Sequence, residues 1–179
     1  AASLSIDGGG LGGSSGMGVL LGGTASGGAI DIRLSGAMQL LNGGTVISEN
    51  TGLFDAAPIS IQASSLTLRR DSGSQTYLSS TGNDFGRAAS IQIRLGGALT
   101  LVDASLGSTS LGIGSAGDVQ VTAASAVLDG RGFGDTQLAS AGDAFGAAGR
   151  VDISLSGALS LRDGAYIRSR GIGLLPSAP

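Results

Sequence analysis

Residues 91–103 read Ile-Gln-Ile-Arg-Leu-Gly-Gly-Ala-Leu-Thr-Leu-Val-Asp, and residues 151–163 read Val-Asp-Ile-Ser-Leu-Ser-Gly-Ala-Leu-Ser-Leu-Arg-Asp. In both stretches two short runs alternate apolar with polar side chains, and a glycine-containing turn separates the runs. Alternation with a period of two in Ile, Leu and Val predicts β-strands. Each stretch therefore predicts a pair of short strands, and the recurrence of the pair predicts an internal repeat.

The first run of this pair recurs along the whole chain. It starts at Ile30, Ile59, Ile91, Val119 and Val151, so the spacings are 29, 32, 28 and 32 residues. The second run follows in every copy, and a third, weaker run comes after it at 46–47, 77–78, 106, 138 and 166–167. Residues 4–6 fit a truncated first copy. Segment 59–103 also aligns with segment 119–163 without a gap, which indicates that a pair of copies is the unit of duplication.

Three short strands per repeat predict a solenoid. No helical stripe persists, and the two-residue turns that antiparallel hairpins need are missing between matched runs. We therefore predict an all-β fold, a right-handed parallel β-helix with five to six coils of about 30 residues and a rise of about 4.8 Å per coil. We expect a single β-helix domain over 1–179. Its parts are a truncated first coil with a Gly-rich loop at 1–29, coils at 30–58, 59–90, 91–118, 119–150 and 151–172, and a C-terminal tail at 173–179.

The alternation also predicts which side chains face outward. Outward positions in the first strand of the coils are Asp31, Arg33, Gln92, Arg94 and Asp152. A second set of residues stands five or six positions before the first strand of the next coil, and we expect it to stack as one interior ladder. Its members are Phe54, Phe85, Ile113 and Phe145.

The composition argues against several kinds of function. The net charge is −3, there is no His, Cys or Trp, and all ten basic residues are Arg. Nucleic-acid binding requires a basic surface, and no apolar run is long enough to span a membrane. Without His, Cys or Lys the usual nucleophiles and general bases are missing. We therefore expect no enzyme and no cofactor, and only a carboxylate pair that cleaves polysaccharide remains as a catalytic alternative.

Residues 146–153 read Gly-Ala-Ala-Gly-Arg-Val-Asp-Ile, residues 159–165 read Leu-Ser-Leu-Arg-Asp-Gly-Ala, and residues 167–169 read Ile-Arg-Ser. This phrase resembles the repeats of filamentous-haemagglutinin-type exoproteins, the large substrates of two-partner secretion. The resemblance covers residues 26–170. It implies an extracellular or cell-surface fibre protein of Gram-negative type, which serves in cell adhesion, aggregation or the building of a biofilm matrix.

A possible metal site lies after the second strand of the coils. Asn42, Asp103 and Asp163 share this position, with Asp71 and Asp129 close to it. A column of such oxygens is the ligand type that Ca²⁺ prefers. Asn and Asp also favour left-handed turns, however, and the Gly-rich calcium-coil repeat is absent. We interpret the three residues as a turn ladder, with calcium binding as the weaker alternative.

Other polar residues are interpreted as surface. Two small basic spots could contact an acidic polysaccharide; their residues are Arg69, Arg70, Arg168 and Arg170. Two further pairs of opposite charge are expected to be exposed ion pairs worth little each: Asp129 with Arg131, and Arg162 with Asp163. The glycines of a G-x-G-x-x-G match precede no helical pattern, so we interpret them as a flexible loop: Gly8, Gly10 and Gly13.

The predicted partners follow from the solenoid. We expect further coils of the same parent chain, or other copies that stack end to end, because an open coil edge invites strand pairing. The alternative is a binding module whose outer face recognises a host or bacterial surface glycan or protein. In that case the segments that vary most between copies should fold over one side of the rod: 7–28, 70–76 and 103–117. No nucleic acid is expected as a partner.

Overall fold

The computed structural model describes residues 2–9, 13–22, 27–131, 136–143 and 145–172. Within these residues the chain forms seventeen β-strands in three parallel sheets and contains no helix. The sheets stack as a β-solenoid of about 5 turns, with about 29 residues and three strands per coil. The parallel β-helix predicted from the repeat is therefore confirmed. Its right-handed sense, which parallel crossovers almost always take, stays a prediction.

Each complete coil contributes one strand to each of the three sheets, which we call C, A and B in the order in which the chain reaches them. Sheet C takes the first strand of each coil: β3 (Ile30–Arg33), β6 (Ile59–Ala63), β9 (Ile91–Leu95), β12 (Val119–Ala123) and β15 (Val151–Leu155). Sheet A takes the second: β1 (Leu4–Asp7), β4 (Ala37–Leu41), β7 (Ser65–Arg69), β10 (Ala98–Val102), β13 (Ser125–Asp129) and β16 (Leu159–Arg162). Sheet B takes the third: β2 (Ser15–Leu21), β5 (Gly44–Asn50), β8 (Thr76–Gly82), β11 (Ala104–Ser110), β14 (Gln137–Gly142) and β17 (Tyr166–Gly171).

Inward-facing side chains stack in columns, because the strands pair in parallel and like residues meet. Leu68, Leu101 and Leu128 of sheet A are fully buried, as is Ile91 of sheet C. Burial of one such side chain contributes about 1.5–3 kcal/mol, so these columns hold neighbouring coils together. The predicted outward residues are confirmed. They are the exposed Asp31, Arg33 and Arg94 and the partly exposed Gln92 and Asp152.

Sheet B adds a column of serines to the interior. Ser80, Ser108 and Ser140 are fully buried and stack in register. Each Oγ accepts a hydrogen bond of 2.7–2.8 Å from a backbone N–H in the segment that leads to sheet C. Ser108 and Ser140 also donate to backbone carbonyls of that segment, at 3.1 and 2.9 Å. The buried hydroxyls are thus satisfied, and they fix the turns between sheets B and C from the inside.

The expected interior ladder is wrong, because its four residues lie on the outside. Their exposed fractions run from 44% to 61%. They belong to the turns between sheets B and C, where strand alternation does not apply, and Ala88 and Ala116, three positions after Phe85 and Ile113, face inward instead. The backbone N–H of Ala56 donates to the carbonyl of Arg87, and this register aligns Leu53 rather than Phe54 with Phe85.

A glycine follows each aligned turn residue in three successive coils, at 86, 114 and 146. A Cβ at any of these positions would collide with a backbone carbonyl of the neighbouring coil. The turns therefore pack backbone against backbone, and the large side chain before each glycine turns towards solvent. Glycine here permits the close approach of two coils.

Candidate functional site

The predicted turn ladder lies at the corner between sheets A and B, which we call the A–B corner. Asn42, Asp103 and Asp163 have φ angles of 46°, 48° and 48°, in the left-handed region that Asn and Asp tolerate. This confirms their interpretation as turn residues. At Asp103 a single left-handed residue turns the chain from sheet A to sheet B, so β11 follows β10 almost directly.

The same three residues do not meet in one place. Backbone hydrogen bonds place Arg70 in the coil between Asn42 and Asp103, and Gly130 in the coil between Asp103 and Asp163. Two coil rises of roughly 10 Å in total separate successive members, whereas Ca²⁺ needs oxygens at about 2.3–2.6 Å. Among the described residues no group of three or more His, Cys, Asp or Glu side chains could hold a metal ion. The geometry gives no support to calcium binding by this set.

Asp103 instead forms an ion pair within the A–B corner. Its Oδ2 lies 2.7 Å from Nε of Arg70, and the two side chains are 7% and 23% exposed. The other carboxylate oxygen, Oδ1, is buried without a hydrogen-bond partner. Because a half-satisfied buried carboxylate depends on its counter-charge, this pair fixes a turn and is poorly suited to bind a ligand.

Two protruding turns of the A–B corner are joined by an exposed charge network. Asp71 accepts hydrogen bonds from Arg69 Nε at 2.8 Å and from Arg131 Nη1 at 2.9 Å, although Arg131 is 60 positions away. The hydrogen bond from Arg69, followed by that from Arg131, lowers the pKa of Asp71 below its ordinary value. Asp71 thus pairs with Arg69 and Asp103 pairs with Arg70, so both arginines of one predicted basic spot are engaged within the chain. The exposure of the Asp71 network limits its contribution to stability.

The expected surface pairs have different partners. Asp129 accepts a hydrogen bond from the backbone N–H of Arg131 at 2.9 Å, while the guanidinium of Arg131 pairs with Asp71. Arg162 Nε donates to Ser160 Oγ at 3.0 Å, and the structure gives no ion pair between it and Asp163. Proximity in the sequence therefore produced an ion pair in neither case.

In the second basic spot, Arg168 contacts neighbouring side chains. The guanidinium carbon of Arg168 lies 4.9 Å from the centre of the Tyr166 ring, and Nη2 donates to Gln137 Oε1 at 3.4 Å. Tyr166 donates to the same amide oxygen at 3.0 Å. These three side chains contact one another on the outer face of sheet B. The contacts favour the interpretation of this basic spot as solvated surface.

The chain enters strand β2 soon after Gly13. A dinucleotide-binding fingerprint requires a helix at this place. The interpretation of Gly8 and Gly13 as loop residues is therefore confirmed, and Gly10 lies outside the described residues. Segments 7–28, 70–76 and 103–117, which a binding module would fold over one side of the rod, lie at sheet B and the turns beside it as far as they are described, and a binding role for them stays a prediction. Strands β2 and β11 occupy much of the first and third segments, and the second belongs to the A–B corner.

The most distinctive surface of the described chain includes the four residues that we expected to form an interior ladder. We call it the apolar ridge, and it consists of the large exposed side chains in the turns between sheets B and C: Leu53, Phe54, Phe85, Leu111, Ile113 and Phe145. Four successive coils contribute to it. The glycines at 86, 114 and 146 and the Asn83–Asp84 pair are turn signals, and with them the sequence could have predicted its outward position.

Charged residues flank the ridge on both sides. Between the ridge and sheet C, four successive coils present Asp55, Arg87, Asp118 and Arg150, whose charges alternate in sign and which are all exposed. Asp55 and Asp118 are held by the backbone N–H groups of Arg87 and Arg150, at 2.9 and 2.7 Å. On the sheet B side the exposed charges of the same turns are Asp84 and Asp143.

Within the part of the chain that the structure describes, no helix is long and apolar enough to cross a membrane. Comparison with models of protein families, with curated proteins and with solved structures finds no match. What the chain does is therefore inferred from its own residues.

Proposed function

We propose that the chain is a structural shaft or fibre-forming segment of a secreted or cell-surface adhesin or extracellular matrix protein. The observation that carries the proposal is the unbroken pairing of coils. From β3 to β15, and likewise in the other two sheets, every strand pairs in register with its counterpart in the next coil. Solenoids of this kind are quasi-one-dimensional, because each coil adds length and contacts only the neighbouring coils.

The last described coil supports a continuing rod. Leu159 and Leu161 of β16 are 47% and 46% exposed, whereas Ala126 and Leu128, their partners one coil earlier, are 1% and 0% exposed. An additional coil on this face would bury both leucines and pair the free edge of sheet A. That coil comes either from the same parent chain or from a second copy that stacks end to end, and the resemblance of the repeats to secreted fibre proteins agrees with both.

Electron microscopy of the purified chain at micromolar concentration tests the fibre-forming part. We expect thin fibres, and we expect the double variant Leu159→Asp with Leu161→Asp to shorten them to isolated rods, because buried unpaired charge would oppose stacking. The matched control is Ser154→Asp on the exposed outer face of β15, which should leave the fibres intact. Isolated rods from the unmodified chain would contradict end-to-end stacking and restrict the proposal to the shaft of a longer chain.

A further inference from the structure

The apolar ridge is as large as the largest apolar patches that soluble monomers leave in water. Its six side chains are 44–61% exposed. Leu53, Phe85, Ile113 and Phe145 share one column parallel to the axis of the solenoid, and Phe54 and Leu111 lie beside that column. If each exposes on the order of 100 Å², the ridge presents roughly 600 Å² of apolar surface, at the upper limit for the largest patch of a typical soluble monomer. A contiguous surface of this size marks an interaction site.

The area agrees with pairing of two identical ridges. Two such surfaces together remove about 1,200 Å² from water, the lower bound for a specific protein–protein interface. The ridge side chains recur with the coil rise of about 4.8 Å. A second copy has the same period, so the side chains of the two ridges can contact each other coil by coil along the whole length. The ridge consists of exposed turn residues, which suits packing against another surface better than enclosure of a small ligand.

The flanking charges are self-complementary. If two rods lie side by side and antiparallel, the coil at 30–58 faces the coil at 119–150, and Asp55 meets Arg150. The two middle coils face each other in the same way, so Arg87 meets Asp118. If the rods are parallel, the sheet C flank of one faces the sheet B flank of the other, and Arg87 meets Asp84 while Arg150 meets Asp143. Both arrangements give opposite-charge contacts, which favours a second copy of this chain as the partner. The parallel arrangement is the more favourable one, because the antiparallel arrangement also makes the two sheet B flanks, with Asp84 and Asp143, face each other.

We propose that the apolar ridge is a lateral interface through which two copies of the chain pack side by side. Pairing buries the phenylalanines of the two ridges against each other, and the flanking charges set the relative direction of the rods. Lateral pairing is independent of end-to-end stacking, because it uses the turns between sheets B and C and leaves the coil edges free.

The mass per unit length, measured by small-angle X-ray scattering at micromolar concentration, separates the two modes of association. Lateral pairing doubles this quantity, whereas end-to-end stacking leaves it unchanged. We expect the doubled value for the chain and the single value for the variant Phe85→Ser with Ile113→Ser. The matched control, Gln62→Ser with Arg94→Ser, changes exposed residues of sheet C in the same two coils and should keep the doubled value. Circular dichroism should show that all three proteins stay folded.

A charge exchange tests the flanks. Arg87→Asp should weaken pairing roughly twofold to fivefold, since each exposed charge pair contributes little. A second change, either Asp118→Arg for antiparallel rods or Asp84→Arg for parallel rods, should restore it. A single mass per unit length for the unmodified chain would overturn the proposal, as would a doubled value that survives the ridge variant. Failure of both charge rescues would exclude the arrangement of flanks described above.

Discussion

The serine column and the apolar ridge reverse the usual distribution of side chains. Serines at 80, 108 and 140 are fully buried, while Phe85 and Phe145 are 61% and 52% exposed. The two regions are linked, because the serines lie on the strands of sheet B that precede the ridge turns, and their hydroxyls bind the backbone a few residues after the ridge. The difference teaches that register along the axis and orientation towards the core are set separately. Coil stacking makes like residues align, but hydrogen bonding of the turn decides which of them face inward.

The largest expected effect contrasts a buried column with the ridge. Leu101→Ala removes a fully buried side chain, and we expect it to lower the free energy of unfolding by about 2–5 kcal/mol. Phe85→Ala removes a larger side chain from the surface, and we expect a loss of less than about 1 kcal/mol. Urea denaturation of both variants at a concentration that keeps the chain monomeric measures the difference. Equal losses would mean that Phe85 is buried.

The serine column gives the next largest effect. Ser140→Ala removes the acceptor for Gly149 N–H and the donor to the Gly117 carbonyl, and we expect a loss of about 1–3 kcal/mol because buried backbone groups lose their partners. Ser48 occupies the same column, but its buried Oγ has no hydrogen-bond partner. Ser48→Ala should therefore be neutral or slightly stabilising in the same denaturation experiment. A reversal of this order would remove the role assigned to the serines.

The turns of the A–B corner differ from the ridge turns, because they use Asp or Asn where the ridge turns use Gly. Asp163 has a φ angle of 48°, which is costly for a β-branched residue. We expect Asp163→Val to lower the free energy of unfolding by about 1–2 kcal/mol, and Asp163→Gly to leave it nearly unchanged. Thermal unfolding followed by circular dichroism compares them. If both substitutions were equally tolerated, left-handed geometry would not be required at this turn.

The smallest expected effect concerns the exposed network at Asp71. Its pKa is lowered in the folded state by Arg69 and then Arg131. The stabilisation is therefore present above the unfolded pKa and is lost as the pH falls through the folded pKa. We expect Asp71→Asn to reduce the loss of stability between about pH 5 and pH 3, and added salt to shrink the difference. An unchanged pH profile would mean that the two arginines do not stabilise the carboxylate.

Strand positions were predictable from the sequence, and turn orientation was not. The alternation at Ile91 and Ile93 identifies both the strand and its inward face, because period two leaves only two choices. The left-handed turns at Asn42 and Asp103 were predictable from their residue types. Alternation does not predict the outward position of Phe85, since an apolar residue in a turn carries no alternation signal; only the turn residues beside it, Asn83, Asp84 and Gly86, indicate it. The ion pair of Arg131 with Asp71 joins residues 60 positions apart, so no local pattern could indicate it.

The central claim is that coils of this chain are interchangeable units of length. Because segment 59–118 is one complete pair of coils, its deletion should leave a folded rod that is shorter by roughly 10 Å, and its duplication should lengthen the rod by the same amount. Small-angle scattering from the three proteins in dilute solution measures their lengths and cross-sections. We predict two equal steps in length at constant cross-section. Loss of folding on deletion, or a cross-section that grows while the length stays constant, would contradict a solenoid shaft.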